Sequence, residues 1–476
     1  MSDFIQLRQN IRDAHLADDT DVLRDLRQST DVSEIARART KASAIQLVND
    51  IRATGNPGMM EVFLAEYGLS TDEGVALMCL AEALLRVPDA QTMDDLIDDK
   101  ITPSAWNEHL GKSSSSLVNA STWALMLTGK VLKEGQGIAA SLKGAIKRLG
   151  EPVIRTAVQQ AMKEMGRQFV LGQSITEAIK RGQGQQAKGF TYSYDMLGEA
   201  ALTGEDAARN FDEYAASIKA LGPLCKSPNI ADNPGISIKL SAIHPRYEYT
   251  QRARVMAELV PRVSELARMA AKAGMGLNID AEEANRLDLS LDIIEAVLPD
   301  PQLSGWDGFG VVVQAYGKRA APVIDWLHAL ATNLDSQIMV RLVKGAYWDT
   351  EIKHAQVEGM AGFPVFSRKE ATDVSYICCA QNCCRCRIAF IPNLPPIMPI
   401  LLRPFWNWLV RGRNSNSNAC TAWVRHCTIW SCKNTKPDAA SMRPSGRTAI
   451  CWPIWCAVCW KTARTVRLLI RLFQKK

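Results

Sequence analysis

Apolar positions recur at helical spacing from the start of the chain. Phe4, Leu7 and Ile11 fall on one face of a first amphipathic stretch, and a second stretch follows around Leu26. These helices carry few apolar residues, so they cannot build a core by themselves. The pattern therefore predicts a helical arm, residues 1–52, that packs on another part of the chain.

A Gly-Asn-Pro-Gly break at residues 55–58 ends the arm. Beyond it, helical spacing returns, and Leu77, Leu80 and Leu84 share one face. We predict a helical domain over residues 53–170.

After residue 170, short β-rich runs alternate with helical stretches. The predicted strands are 189–194, 236–240, 276–280, 309–314 and 338–342, and the helical stretches between them include 251–273, 281–297 and 321–334. This alternation predicts an α/β fold with a parallel sheet, and its near-constant spacing favours a (β/α)8 TIM-like barrel over an open sheet. Only about five of the eight units are recognisable, so the predicted barrel, residues 171–380, is incomplete.

Composition divides the chain near Val374. The residues before it carry 40 basic and 49 acidic side chains, a net charge of −9, whereas the remainder carries 16 basic residues and one acid, a net charge of +15. The remainder also holds 11 of the 13 cysteines and 7 of the 12 tryptophans. The overall charge of +6 therefore describes neither part, and it is no indication of a nucleic-acid-binding protein.

The first part has the features of a cytoplasmic protein. It contains two cysteines, no apolar run long enough to span a membrane and no signal-peptide core at its charged N-terminus. It contains neither a dinucleotide-binding glycine motif nor a phosphate-binding loop motif, and it shows no His-rich metal pattern.

Polar side chains end several of the predicted strands: Lys239, Asp280, Gln314, Arg341 and Lys344. The carboxyl ends of barrel strands form one face, where the active sites of barrel enzymes lie. The alternative is that each charge marks a strand exit into solvent. The set contains an acid, an amide and three cations but no histidine, so it does not suggest a nucleophilic triad. It suits an anionic substrate and a phosphate-bearing or electron-rich cofactor.

Five strings, in order along the chain, carry a family resemblance. They are GISIKLSAIHPRYEY, GLNIDAEEANRLDLSLDI, VVVQAYGKRA, RLVKGAYWDTEIKHAQVEGM and FPVFSRKEATDVSY. They closely resemble the proline dehydrogenase domain of the bifunctional proline utilization A flavoenzymes, and the resemblance extends from the arm to about residue 380. It implies oxidation of L-proline to Δ1-pyrroline-5-carboxylate, FAD as the hydride acceptor, a membrane quinone as the next electron acceptor, and peripheral contact with the inner face of the membrane.

The resemblance also implies a set of flavin-binding residues. Arg341 should lie beside flavin N5, Gly345 should allow a close backbone approach, and Ser367 stands where the family usually has threonine. The full set is Gln314, Arg341, Val343, Lys344, Gly345, Ala346, Trp348 and Ser367.

The resemblance implies four substrate-side residues. Lys239 would hold the proline carboxylate, Asp280 would orient the cations, and Leu342 and Tyr347 would wall the pocket. Core packing is the alternative role for Tyr347 and Trp348.

The sequence departs from the family in three ways. No ribbon-helix-helix module precedes the arm, so we expect no specific DNA binding. No second dehydrogenase domain follows, so we expect no NAD site. The segments that hold a substrate-contacting tyrosine, an adjacent arginine pair and a flavin-binding Thr-His-Asn string are also missing.

A change of reading frame near Gln381 explains the last departure. When each codon's last base is read with the first two bases of the next codon, four stretches between Phe390 and Ala463 can give the missing family strings, in order and in one frame. We therefore interpret residues 381–476 as an out-of-frame segment, poorly ordered and without the last barrel strands.

A zinc site is a weaker interpretation of this region. The cluster Cys378, Cys379, Cys383, Cys384 and Cys386 provides C-x-x-x-C and C-x-C spacings, but no second ligand pair lies at a defined distance. We expect no metal site.

Two functional hypotheses follow. The first is an FAD-dependent proline dehydrogenase. The second is an inactive truncated or frameshifted product, because an open barrel and the loss of the substrate-carboxylate arginines would both impair activity.

Overall fold

In a computed structural model, the chain is described over residues 2–30, single positions between 38 and 49, and residues 170–187, 190–196, 198–385, 388–392 and 442–445. One compact unit comprises residues 1–54 and 171–462. A second unit, residues 55–170 with 463–476, falls almost entirely outside the described residues, as do the predicted helical domain and most of the segment after residue 392.

The described helices and strands alternate after residue 190. The helices are α1 (Ser2–Asp13), α2 (Asp19–Ser29), α3 (Ile175–Gln186), α4 (Gly204–Leu221), α5 (Arg252–Ala273), α6 (Leu287–Val297), α7 (Ala320–Asn333), α8 (Trp348–Val357) and α9 (Lys369–Arg385). The strands are β1 (Ser193–Met196), β2 (Gly235–Ile238), β3 (Leu277–Ile279), β4 (Phe309–Gln314), β5 (Ile338–Val343), β6 (Ile388–Pro392) and β7 (Met442–Ser445). The predicted strand at 309–314 has the observed bounds, whereas β1 lies several residues later than the predicted 189–194.

The strands form one parallel sheet in the order β6-β5-β4-β3-β2-β1-β7. Strands β1 to β6 therefore pair with their sequence neighbours, without the reversal of strand order that marks a doubly wound sheet. This sequential order is consistent with the (β/α)8 barrel that the spacing predicts. Among the described residues, the pairing runs from β6 to β7 and does not close the sheet into a complete barrel.

Alternation along the strands gives the sheet two different faces. One face joins the large hydrophobic core under the helices, with Ile236 and Ile238 of β2 and Val340 and Leu342 of β5 as members. The other face carries the polar residues of the same strands, which places the chemically active side chains together on the side away from the covering helices.

Two strands lie where the sequence predicted none. Strand β6 pairs in parallel with β5, and β7 pairs in parallel with β1. Backbone hydrogen bonds at an exposed sheet edge do not depend on side-chain identity, so any extended segment can satisfy them. The expectation that residues 381–476 lack the last barrel strands therefore stays a prediction, because pairing at an edge does not by itself identify β6 or β7 as one of those strands.

The arm helices pack on helices that cover the sheet. The Phe4 ring in α1 lies 5.6 Å from the Trp326 ring in α7, and the Arg8 guanidinium lies 5.3 Å from the same indole. Arg8 also forms ion pairs with Asp288 and Asp292. In α2, Leu26 packs in a smaller cluster with residues of α9 and the segment before it.

Three of the five clustered cysteines are core residues of α9. Cys378 packs in the cluster that contains Leu26, while Cys379 and Cys383 are fully buried in the main core. Within the part of the chain that the structure describes, no group of three or more His, Cys, Asp or Glu side chains is placed to hold a metal ion. No described helix is long and apolar enough to cross a membrane.

Candidate active site

Lys239 lies at the centre of a buried charged cluster at the carboxyl ends of β1, β2 and β3. Its Nζ atom is 2.8 Å from Oδ2 of Asp280 and 3.4 Å from each carboxylate oxygen of Asp195. Its backbone N–H donates to the Tyr214 hydroxyl at 3.2 Å. Carboxylates from two neighbouring strands thus hold the ammonium group, while Tyr214 of α4 holds the backbone of the same residue.

Arg341 brings a second cation from β5 to the same cluster. Its guanidinium donates to the Ser237 hydroxyl at 2.9 Å, to the Ser193 hydroxyl at 2.8 Å and to Oδ1 of Asp280 at 3.4 Å. Arg341 is 3% exposed, so these bonds compensate for the loss of water around the guanidinium. Asp280 therefore bridges the two cations, one through each oxygen.

Burial and charge set the protonation of the cluster. Burial opposes the charge on Lys239, but the carboxylates of Asp195 and Asp280 outweigh it and hold the pKa of Lys239 well above its usual value. Burial raises the pKa of Asp195 to about 6, against the lowering effect of Lys239. The cluster thus keeps a protonated lysine, while Asp195 gains or loses its charge near neutral pH.

Four functional candidates were missed from the sequence: Ser193, Asp195, Ser237 and Tyr214. Asp195 is 5% exposed and follows directly on the predicted strand, which ends at Tyr194, two residues before the observed end of β1 at Met196. Its signal was the same as that of Lys239 and Asp280, a charge closing an apolar run. The two serines and Tyr214 gave no such signal, because their roles depend on pairing across strands.

Leu342 lies outside this cluster, and its role as a wall of the substrate pocket stays a prediction. Adjacent strand residues point to opposite faces, so Leu342 faces away from Arg341. It is fully buried in the hydrophobic core, and its carbonyl accepts a hydrogen bond from the Tyr376 hydroxyl.

The polar atoms of the Tyr347 and Trp348 side chains each donate a hydrogen bond. The Tyr347 hydroxyl donates to Oε2 of Glu199 at 3.2 Å, and Trp348 Nε1 donates to the Phe366 carbonyl at 2.8 Å. Burial raises the pKa of Tyr347, and the Glu199 charge adds to that effect. Tyr347 therefore stays a neutral donor beside the carboxyl end of β5.

The loop after β5 is shaped by Gly345. This residue has φ of +128°, and a Cβ atom there would lie 2.5 Å from the Tyr316 ring. Glycine is therefore required by the backbone conformation and by the ring against it. Its neighbours Lys344 and Ala346 are half-buried, and Lys344 pairs with Asp373.

The remaining predicted flavin residues lie around this loop. Val343 ends β5 on the same face as Arg341, and it pairs in register with Gln314 of β4. The Gln314 side chain donates to the Ala281 carbonyl at 3.3 Å. Ser367 is exposed and bonds to Asp19 of the arm, through its backbone N–H at 2.9 Å and its hydroxyl at 2.8 Å.

Comparison with known proteins gives two family matches. Residues 178–394 match the family described as "Proline dehydrogenase", and residues 59–169 match the one described as "DNA-binding domain of Proline dehydrogenase". The first match contains every predicted site residue. The second covers most of the predicted helical domain.

Individual relatives point the same way. The chain is 50% identical over 353 residues to "Bifunctional protein PutA" of Klebsiella aerogenes, covering 74% of this chain and 26% of that protein. It is 49% identical over 365 residues to the protein of the same name from Escherichia coli strain K12, covering 76% of this chain and 27% of that protein. The chain thus spans about a quarter of the length of these relatives.

A solved structure shares the fold. A crystal structure of a proline utilization A variant from Bradyrhizobium japonicum superposes with a TM-score of 0.63 and 41% identity, covering 91% of this chain and 43% of that one.

Proposed function

Since residues 178–394 of this chain belong to the proline dehydrogenase family, we propose that its barrel oxidises L-proline to Δ1-pyrroline-5-carboxylate, with FAD as the electron acceptor and a membrane quinone as the next acceptor. The observation that supports this most strongly is the buried cluster of Lys239, Asp280 and Arg341. It supplies a fixed cation, Lys239, for the substrate carboxylate, which needs such a partner in a site closed to water, and a second fixed cation, Arg341, for the cofactor.

The donor set around the cluster fits FAD. A flavin presents a planar ring edged with hydrogen-bond acceptors and carries a pyrophosphate. Arg341 offers a buried cation, Gln314 offers an amide on the next strand, and Lys344 offers a further cation on the loop after β5. These residues, with Val343, Gly345, Ala346 and Trp348, would hold the cofactor, which supplies a two-electron acceptor when it is bound.

Lys239 has the geometry to bind the substrate carboxylate. Its protons are directed by Asp195 and Asp280, so the ammonium has little freedom to rotate away. Asp280 holds Lys239 and Arg341 at a fixed separation, which keeps the substrate-side and cofactor-side cations in register. Preorganised charges of this kind act without a reorganisation cost at the moment of reaction.

Flavin absorbance and proline–quinone reductase activity of the purified chain test the proposal. We expect a yellow protein that proline bleaches in the absence of oxygen. The Lys239→Met variant should raise KM for proline at least about thirtyfold, since loss of a buried charge partner costs about 2 kcal/mol or more. The matched control, Lys219→Met, removes an exposed lysine from α4 and should leave KM unchanged.

A colourless chain that neither binds FAD nor oxidises proline would overturn the proposal. The inactive-product hypothesis would then stand in its place.

The separate expectation of no specific DNA binding stays a prediction, and the description of the family matched by residues 59–169 makes it worth measuring. Fluorescence anisotropy with labelled duplex DNA, at two salt concentrations, separates specific from charge-driven binding.

A further inference from the structure

Asp19, at the start of α2, binds two barrel segments at once. Its Oδ2 atom accepts from the backbone N–H and the hydroxyl of Ser367, and its Oδ1 atom lies 2.9 Å from Nζ of Lys318. Burial opposes the charge on Asp19, but the bonds from Lys318 and Ser367 outweigh it and lower the pKa of this carboxyl. The arm thus places a carboxylate where two distant parts of the barrel domain meet.

Lys318 depends on the arm for its charge partners. Its side chain is 4% exposed, and its ammonium also donates to the Ala17 carbonyl at 2.6 Å. A buried ammonium without a counter-charge is strongly disfavoured. Removing the Asp19 charge therefore disturbs Lys318 more than it would disturb a surface lysine.

The two segments that Asp19 joins form a small unit, which we call the clasp, made of residues 315–318 and 364–367. An antiparallel bridge links Gly317 to Val365. The Phe366 N–H donates to the Tyr316 carbonyl at 2.8 Å, and the Lys318 N–H donates to the Pro364 carbonyl at 3.2 Å. Asp19 fastens this unit from its outer side.

The inner side of the clasp supports the loop after β5. The Tyr316 ring fills the space beside Gly345, and the Tyr316 N–H donates to the Lys344 carbonyl at 2.7 Å. The Phe366 carbonyl accepts from Trp348 Nε1 at 2.8 Å. A displacement of the clasp is thus transmitted directly to residues 344–348.

We infer that Asp19 is a positioning residue, which fixes the loop of residues 343–348 through the clasp and so prepares it to receive the flavin. The inference rests on the proposed function for the identity of the ligand. Ser367 then acts through Asp19, which accounts for a hydroxyl at this position without a direct contact with the cofactor.

Hydrogen exchange on the full chain without flavin tests the structural part. Asp19→Asn should speed exchange of the Phe366 and Tyr316 amides about tenfold, because both amides donate within the clasp or to the loop. The matched control is Asp21→Asn, two residues later in the same helical turn, where the carboxylate pairs only with exposed Arg24 among its described ion pairs. The control should leave these amides unchanged, which separates the clasp from a general effect on α2.

FAD affinity, measured by titration with flavin fluorescence, tests the functional part. Asp19→Asn should weaken FAD binding about tenfold, and Asp21→Asn should not. Ser367→Ala should weaken binding less than Asp19→Asn, and the double variant should be no weaker than Asp19→Asn alone, since both side chains act in one contact.

Three results would overturn the inference: unchanged exchange in Asp19→Asn, unchanged FAD affinity in Asp19→Asn, or additive losses in the double variant. The last result would indicate a direct contact of Ser367 with the flavin. If the unsubstituted chain binds no FAD, the proposed function fails, while the exchange measurement still decides whether Asp19 fixes the loop.

Discussion

At the scale of single residues, neighbouring positions along a strand place their side chains on opposite faces of the sheet. Arg341 and Leu342 are adjacent, yet one enters the charged cluster and the other enters the hydrophobic core. Likewise, Tyr194 lies in the core and Asp195 beside Lys239. The family motifs locate the segments that form a site, but the pleat of each strand determines on which face of the sheet a given side chain lies.

Replacing Asp195 with asparagine should change how stability depends on pH. The folded chain raises the pKa of Asp195 to about 6, from the 3.8 typical of aspartate, so it binds a proton more tightly than the unfolded chain. Ionisation of Asp195 therefore lowers the free energy of unfolding progressively as pH rises from about 4 to about 6. We expect the stability of Asp195→Asn relative to the unsubstituted chain to be greatest at pH 7 and to shrink towards pH 4.

Urea unfolding of both chains across this pH range measures the effect. Asp212→Asn, which alters an exposed carboxylate on α4, serves as the control and should show a small, constant difference. A relative stability of Asp195→Asn that grows on acidification would contradict the assigned direction.

Gly345→Ala should destabilise the loop after β5 by about 2–4 kcal/mol. The positive φ strains any other residue, and the new methyl group would overlap the Tyr316 ring, so backbone strain and overpacking add. Gly359→Ala is the matched control, since Gly359 also has a positive φ of +62° but nothing lies within 4 Å of its Cβ position. Chemical denaturation measures the free energy of unfolding of both variants. Equal losses of stability in the two would mean that the contact with the Tyr316 ring is unimportant.

At the scale of elements, the two arm helices are stable because of what they pack on. Their apolar positions are too few for a core of their own, and they gain partners in α7 and α9. The Arg8 guanidinium lies over Trp326 and pairs with acids of α6, so α1 is held by charge as well as by apolar contact. The arm thus serves as an outer layer of the barrel domain.

Leu26→Ala should loosen α2 from the barrel. Leu26 is 8% exposed and packs with Phe366 and Cys378, so its loss should cost about 2–3 kcal/mol. Limited proteolysis should cleave the arm faster in this variant, and denaturation should report the stability change. Ile5→Ala, at a position 68% exposed, should leave the free energy of unfolding within about 0.5 kcal/mol of that of the unsubstituted chain and should leave the rate of proteolysis unchanged. Similar effects of the two substitutions would show that α2 is not held by this contact.

At the scale of the whole molecule, the chain joins an acidic part to a basic one. The sequential order β1 to β6 belongs to the acidic part and its immediate continuation, while β7 comes from well inside the basic segment. The family match ends at residue 394, 14 residues after the predicted end of the barrel region at residue 380. A parallel sheet edge accepts extended backbone of many sequences, so edge pairing alone does not identify a closing strand.

A gene restored to the alternative frame near codon 381 should encode the missing family strings. We expect the restored chain to lose the charge of +15 and to bind proline more tightly than the present chain, because the restored segment would supply the adjacent arginines. Resequencing across codon 381, followed by proline titration of both chains, checks this. Several independent reads with the present frame, together with unchanged proline affinity after restoration, would contradict the frameshift interpretation.

The sequence alone determined the strand–helix alternation, the bounds of β4, and three members of the charged cluster. These follow from local patterns: apolar periodicity, strand ends and motif strings that neighbouring residues carry together. The structure alone decided that Asp195 and the hydroxyls of Ser193 and Ser237 complete the cluster, that Leu342 turns away, and that Asp19 reaches Ser367 across 348 positions of sequence. Such contacts depend on strand register and helix docking, which no local segment encodes, because they arise only when the chain packs its distant parts against one another.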